Sequence, residues 1–272
     1  YILFMVVGLL GCSMTCSQDS DFGELPFLGI EPVIDGSIDE WKHIAFNDGV
    51  WDLQRVKKAS WYHPKRNRLN VEVSEDTTQI DLSASYYMAW DETYLYLAAE
   101  VRDNVNDVEE ENHEPKRWYY KDAISWFIEA PKDETAEKFS LGDHSFAFVI
   151  DTLKPDYGAW WRHGTATESY VEEPIPVQSV EYAIKMNPWN RSPADYILEA
   201  RVARSLLVPE QGLDAGSITS NSIGMMIVHC DPDGGEYGGH LLIYGKGDDD
   251  STWSEFKLSN SSDKQKQDSH AK

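Results

Sequence analysis

Between Lys116 and Ala130 the chain reads KRWYYKDAISWFIEA, three aromatic rings among charges followed by an alternating apolar run. Burial of Ile124, Trp126, Phe127 and Ile128 accounts for the second half as a packed strand. It does not account for Trp118, Tyr119 and Tyr120 beside Lys116, Arg117, Lys121 and Asp122. Rings left open there suit one kind of chemistry. An aromatic face is rich in negative charge density, and the C–H face of a pyranose is apolar and slightly positive, so stacking the two removes apolar area from water. Hydroxyls around the sugar rim then need donors and acceptors from charged or amide side chains. A further aromatic pair, Trp160 and Trp161 in GAWWRHG, reads as a loop site in which either ring would lengthen a cleft or cover a sheet edge. Trp41, Trp90 and Trp126 stand in apolar alternation and read as core.

Other chemistries find less support. No Gly-x-Ser-x-Gly elbow, His-Glu-x-x-His or phosphate loop occurs. His229 and Cys230 are adjacent in a strand-like run, where neighbours point to opposite faces, so they are not read as a dyad. Glycoside hydrolysis needs two carboxyl groups across the scissile bond, and 47 acidic residues are too many for spacing to select a pair. Asp103, Asp107 and Asp122 cluster near a hairpin end and a strand start, an oxygen-rich set of the kind calcium takes, against the alternative of a solvated carboxylate face.

The elements that must position these residues are strands. SASYYMAW (83–90) and YLYLAAEVRD (94–103), joined by DET, read as a hairpin. Strands are expected at 122–129 and 144–151, then as VEYAIKM and DYILEARVA around the turn NPWNRSP, then at 222–231, in HLLIYG, and in TWSEFKLS. The best helical stretch is SIDEWKHI, with Ser37 as N-cap and Glu40 three residues on. Many short strands with Gly and Pro turns make an all-β, antiparallel sandwich of jelly-roll type with short helical turns.

Composition sets the boundaries of the reading. The 272 residues carry 47 Asp and Glu against 24 Lys and Arg, a net charge of −23 that repels nucleic acid and anionic lipid. The apolar start, residues 1–11, is shorter than the roughly 20 residues a membrane-spanning helix needs. It reads as an export signal, and the sequence LLGC ending at Cys12 resembles a lipobox, with an ordinary cleaved signal as the alternative. On this reading Cys12 is lipidated at the bacterial outer membrane, periplasm or cell surface, 12–29 is a tether, 30–258 is the domain, and 259–272 is a disordered tail. Cys16 and Cys230 remain as free thiols.

Several stretches, in order, resemble the family 9 carbohydrate-binding modules, β-sandwiches often appended to xylanases. They are PVIDGSIDEW (32–41), YYMAWDETYLYLAAEVRD (86–103), WYYKDAISWFIEA (118–130), YILEARV (196–202) and Trp253 ahead of FKL. The resemblance implies a sugar held between Trp118 and Trp253, polysaccharide or oligosaccharide as partner, structural calcium, and association with hydrolases in the breakdown of carbohydrates such as xylan. Where the family grips hydroxyls with an Arg and a Glu, this chain has Ala147 and Ser125, so Arg117, Lys121 or Arg162 would take over, with Trp161 beside them. Two alternatives follow from related folds and substrates. One is a haem-binding electron carrier with Met88, Met225, His144 and His229 as axial ligands; the other is a hydrolase acting on glycosyl bonds.

Overall fold

The computed structural model describes residues 21–52, 55, 61–62, 82–106, 115–132, 139–150, 158–165, 170–207, 222–231 and 240–259. The signal segment with Cys12, the tail from residue 260, and Asp107 lie outside the described residues.

Alternating side chains divide each strand between two faces, and the chain answers with two sheets packed on one another. The smaller sheet runs, with strands numbered in chain order, β10 (Val180–Met186), β11 (Tyr196–Ala203), β5 (Tyr94–Asp103), β4 (Leu82–Trp90) and β2 (Val50–Trp51). The larger runs β1 (Asp21–Leu25), β14 (Ser254–Leu258), β12 (Ser222–Cys230), β6 (Ala123–Glu129), β7 (Asp143–Val149), β8 (Ala159–His163) and β9 (Val171–Pro174). Off that path β13 (His240–Ile243) pairs with β12, and β3 (Trp61–Tyr62) pairs with β13. Only β1–β14 is parallel among these pairings.

The inner faces meet in one core. Ile227, Trp126 and Phe146 share a rung of the large sheet, and Tyr86, Ala99 and Leu198 share one of the small sheet. A polar link within the core crosses between the sheets. The Tyr86 hydroxyl lies 2.7 Å from Nδ1 of His229 and the Tyr196 hydroxyl 2.9 Å from Nε2. A neutral imidazole accepts at one nitrogen and donates at the other, so both phenols are satisfied. Burial pulls the ring down to about 3.

Four expectations are corrected. SIDEWKHI forms two short turns closed by Ile38 and Trp41 carbonyls, not a helix. Glu40 does not close a box on Ser37 but accepts from the Val33 amide at 2.8 Å. The tether to residue 29 is too long, because β1 pairs with β14 and Leu25 and Leu28 are buried. Their apolar area has a core to enter, and burial outweighs the turn-forming residues around them. GAWWRHG is strand β8, not a loop.

Candidate functional site

The outer face of the large sheet carries an apolar cluster. Rungs across it read Met226, Phe127, Ser145, Arg162, Glu172 and, next to it, Val228, Ser125, Ala147, Trp160. Small residues at its centre, Ser125, Ser145 and Ala147, leave a hollow, and two chain segments fold over it. Ser125 and Ser145 satisfy one another there, oxygen to oxygen at 2.8 Å.

The first segment is the 3₁₀ turn Trp118–Tyr120, closed by the Lys121 amide on the Trp118 carbonyl at 3.0 Å. The second is an excursion from the edge of β12. The chain leaves that edge after Ile243 and rejoins it at Ser254, whose amide donates to the Tyr244 carbonyl at 2.7 Å. Residues 245–253 therefore bulge over the face. Gly245 permits this because a Cβ there would come within 2.9 Å of Met226 and Trp253 atoms, and Gly247 takes a left-handed φ of 72°.

Between the two segments lies a cleft of about 330 Å³. Its floor is Phe127, Met226, Val228 and Leu242, and Trp118 and Tyr119 wall one side. Gly247 and Asp248 come from the excursion, and Arg162 and His240 complete the polar lining. His240 Nε2 donates to the Tyr119 carbonyl at 2.8 Å, which fixes its tautomer and holds the turn. The Arg162 guanidinium reaches Glu172 at 3.3 Å and stands 4.5 Å over the Tyr170 ring, while its buried Nε has no hydrogen-bond partner among the described residues. Burial raises the Tyr119 phenol above its ordinary range, so the ring is neutral.

The predicted residues divide sharply. Trp118 and Trp253 do belong to one aromatic cluster, but not as two open faces across a gap. They are 4% and 2% exposed, and both meet Phe127 edge-on, with ring centres at 6.5 and 5.7 Å. The apolar sheet surface beneath them is the reason, since covering it buries the indoles as well. Trp118 still lines the cleft; Trp253 instead donates from its indole N–H to the Gly247 carbonyl at 2.9 Å and so positions the excursion. Lys121 is wholly buried and donates to the Arg117 carbonyl at 3.1 Å, so it supports the turn rather than meeting ligand. Arg117 is exposed and does not line the cleft. Trp161 points to the inner side, stacked 3.9 Å from His163 and donating to His144 at 3.2 Å, because alternation in β8 gives the outer face to Trp160 and Arg162.

Sequence reasoning set Tyr119 among three candidate rings but nominated Trp118, and it missed His240 and Asp248 as the polar partners of the half-buried Tyr119 ring. The alternation of β8 was the one signal that could have selected Arg162.

The oxygen-rich set exists in altered form. Asp103 at the end of β5 and Asp122 at the start of β6 meet Asp231 just beyond β12, all buried, with carboxylate oxygens within 4.8 Å of one another. Asn106 donates to Asp122 at 3.0 Å. Three buried carboxylates with no softer donor fit a calcium ion, which would tie the ends of both sheets together. A second buried trio, Glu129, Asp143 and Asp250, sits under the excursion, with the Lys132 ammonium 3.1 Å from Glu129. Burial, then the neighbouring carboxylates, push Asp143 up to about 7.

The haem ligands do not gather as open positions. Both nitrogens of His229 are engaged by tyrosines, and those of His144 by Trp161 and the Leu207 carbonyl. Burial pulls His144 down to about 4. Cys230 is a free, buried thiol on the face opposite His229.

Among known proteins, the family model for carbohydrate family 9 binding domain-like proteins matches residues 54–258. A family 9 carbohydrate-binding module from Caldicellulosiruptor kristjanssonii, solved with cellotriose, superposes with a TM-score of 0.52 at 15% identity, covering 89% of this chain and 95% of that one. The same organism's module solved with glucose gives 0.51 at 16% identity, covering 89% and 97%. At such identities the likeness is one of fold. No curated protein matches the chain.

Proposed function

This chain belongs to the carbohydrate family 9 binding domain-like family, and from that premise we propose that it captures neutral sugar residues in the cleft walled by Tyr119. The observation that carries the reading is the pairing of an apolar, aromatic body with a polar rim of Arg162, His240 and Asp248 in about 330 Å³. A pyranose needs that combination, with apolar area covered and hydroxyls answered at the edge. Glucose and cellotriose, the sugars held by the two superposed modules, are the first ligands to try. Xylo-oligosaccharides follow from the wider resemblance to modules of xylan-degrading systems. Asp248 is the single carboxylate among the described residues lining the cleft, which favours capture over cleavage by a carboxyl pair. Calcium at Asp103, Asp122 and Asp231 would be structural.

Titration calorimetry with glucose, cellotriose and xylotriose tests this. One site per chain is expected for at least one of them, and Tyr119→Ala should weaken it about tenfold or more while its circular-dichroism spectrum stays that of the folded parent. Equal affinity in that variant removes the cleft assignment.

A further inference from the structure

We propose a second ligand site on the opposite side of the sandwich, where the outer face of the small sheet takes an acidic sugar, a uronate residue of a polysaccharide. This inference stands whether or not the Tyr119 cleft binds sugar.

The outer face of the small sheet is covered over only half its length. At one end the segment 28–45 lies on it, with Leu28, Ile38 and Trp41 against Tyr96 and Ala98. Buried Glu199 ties that segment down by accepting from the Asp35 and Gly36 amides and the Trp41 indole. Beyond it the face opens into a cleft of about 380 Å³ lined by Ser83, Ser85, Glu100, Arg102, Lys42 and Trp189.

Trp189 is 39% exposed, in contrast to Trp118 and Trp253. It sits in the turn between β10 and β11, flanked by Asn187 and Asn190, whose φ angles of 48° and 53° are left-handed. Asparagine tolerates that conformation. The Asn187 amide donates to the Asp195 carbonyl at 2.6 Å and the Asn190 amide to the Asn187 carbonyl at 3.2 Å, so a hydrogen-bonded turn presents the ring.

The charges of this cleft are unequally matched. Lys42 is compensated by Asp39 at 2.8 Å and Glu100 at 3.0 Å, and Glu100 also accepts from Tyr87 at 2.8 Å. Arg102 has no carboxylate partner among the described residues; its guanidinium stands 5.8 Å from the centre of the Trp189 ring. A chain with a net charge of −23 thus keeps a guanidinium without a carboxylate partner among the described residues over a partly exposed indole. A uronate residue satisfies both, laying its C–H face on the indole and its carboxylate on the planar fork of Arg102. Ser83 and Ser85 stand within reach of the remaining hydroxyls as donors or acceptors.

The test is a titration of the ¹⁵N-labelled chain, read at the Trp189 indole N–H, with trigalacturonate and with a glucuronate-substituted xylotriose. Cellotriose is the neutral control. Saturable binding of at least one acidic probe is expected, weakening as salt is raised. Arg102→Gln should weaken it about tenfold or more, Trp189→Ala, read at the backbone amides of Ser83, Ser85 and Arg102 because the indole is gone, should remove it, and Tyr119→Ala should leave it unchanged. The proposal fails if neither acidic probe moves the Trp189 signal, or if Arg102→Gln and Trp189→Ala both bind as before. A Trp189 response to cellotriose as strong as to the acids overturns the acidic assignment.

Discussion

The outer face of the large sheet and the part of the small-sheet face left open beyond the segment that buries Trp41 treat tryptophan in opposite ways. On the large sheet, Trp118 and Trp253 are sealed over a hollow of Ser125, Ser145 and Ala147. On the small sheet, Trp189 stands open beside Ser83, Ser85, Glu100 and Arg102. The difference lies in what each ring finds beneath it. A hollow, apolar sheet surface draws covering loops onto itself and takes their indoles with them. A polar surface gives a ring nothing to gain from closing. Charges adjacent in sequence do not decide the matter, because Trp118 has Arg117 before it and the wholly buried Lys121 soon after.

The sharpest way to break this comparison is to truncate one ring from each face. Trp253→Ala should cost about 3–5 kcal/mol, since it removes a packed ring and the hydrogen bond that holds Gly247. Trp189→Ala should stay within about 0.5 kcal/mol. Denaturant unfolding of both variants measures the contrast, and similar losses would mean the two faces are not distinct.

Below that in size comes the calcium proposed at Asp103, Asp122 and Asp231, which would act at the sheet ends rather than on either face. At about a hundred times its dissociation constant it should add roughly 2.7 kcal/mol, seen as a higher melting temperature than in chelator. Asp231→Asn should abolish the difference.

Next is a pH effect confined to the large-sheet side. Asp143, with a folded value of about 7 against an ordinary 3.8, is protonated in the fold at pH values where the unfolded chain has already lost the proton. Its neutral form therefore contributes stability below about 3.8, and that contribution is lost as pH rises through 7. Asp143→Asn, measured in chelator, should gain roughly 1–3 kcal/mol above pH 7 and nothing near pH 4. The buried histidines act with the opposite sign. His229 and His144, held at about 3 and 4, oppose folding as pH falls below about 6.5, so the variant's stability should decline more steeply in acid than that of the parent. A gain independent of pH would argue against this account of Asp143.

The strands were legible because alternation repeats in β4, β5, β6, β11 and β12 with little competing signal. The sandwich followed from their number and their turns. What pairs across sheets was not legible. Asp103 and Asp122 were grouped from the sequence, but Asp231 lies beyond a third strand, and no local pattern says that its end meets theirs. Trp161 was misassigned because two adjacent tryptophans look loop-like, although Ala159, Trp161 and His163 alternate with Trp160 and Arg162 as a strand requires. Trp189 went unnoticed because Pro and Asn around it declare a turn and say nothing of what the turn displays.

The most direct measurement is the structure of the protein crystallised with cellotriose. The account predicts a pyranose ring lying on Tyr119, above Phe127 and Leu242, with hydroxyls reaching Arg162, His240 or the 247–248 backbone. A sugar bound away from that cleft, with Tyr119 untouched, would contradict it.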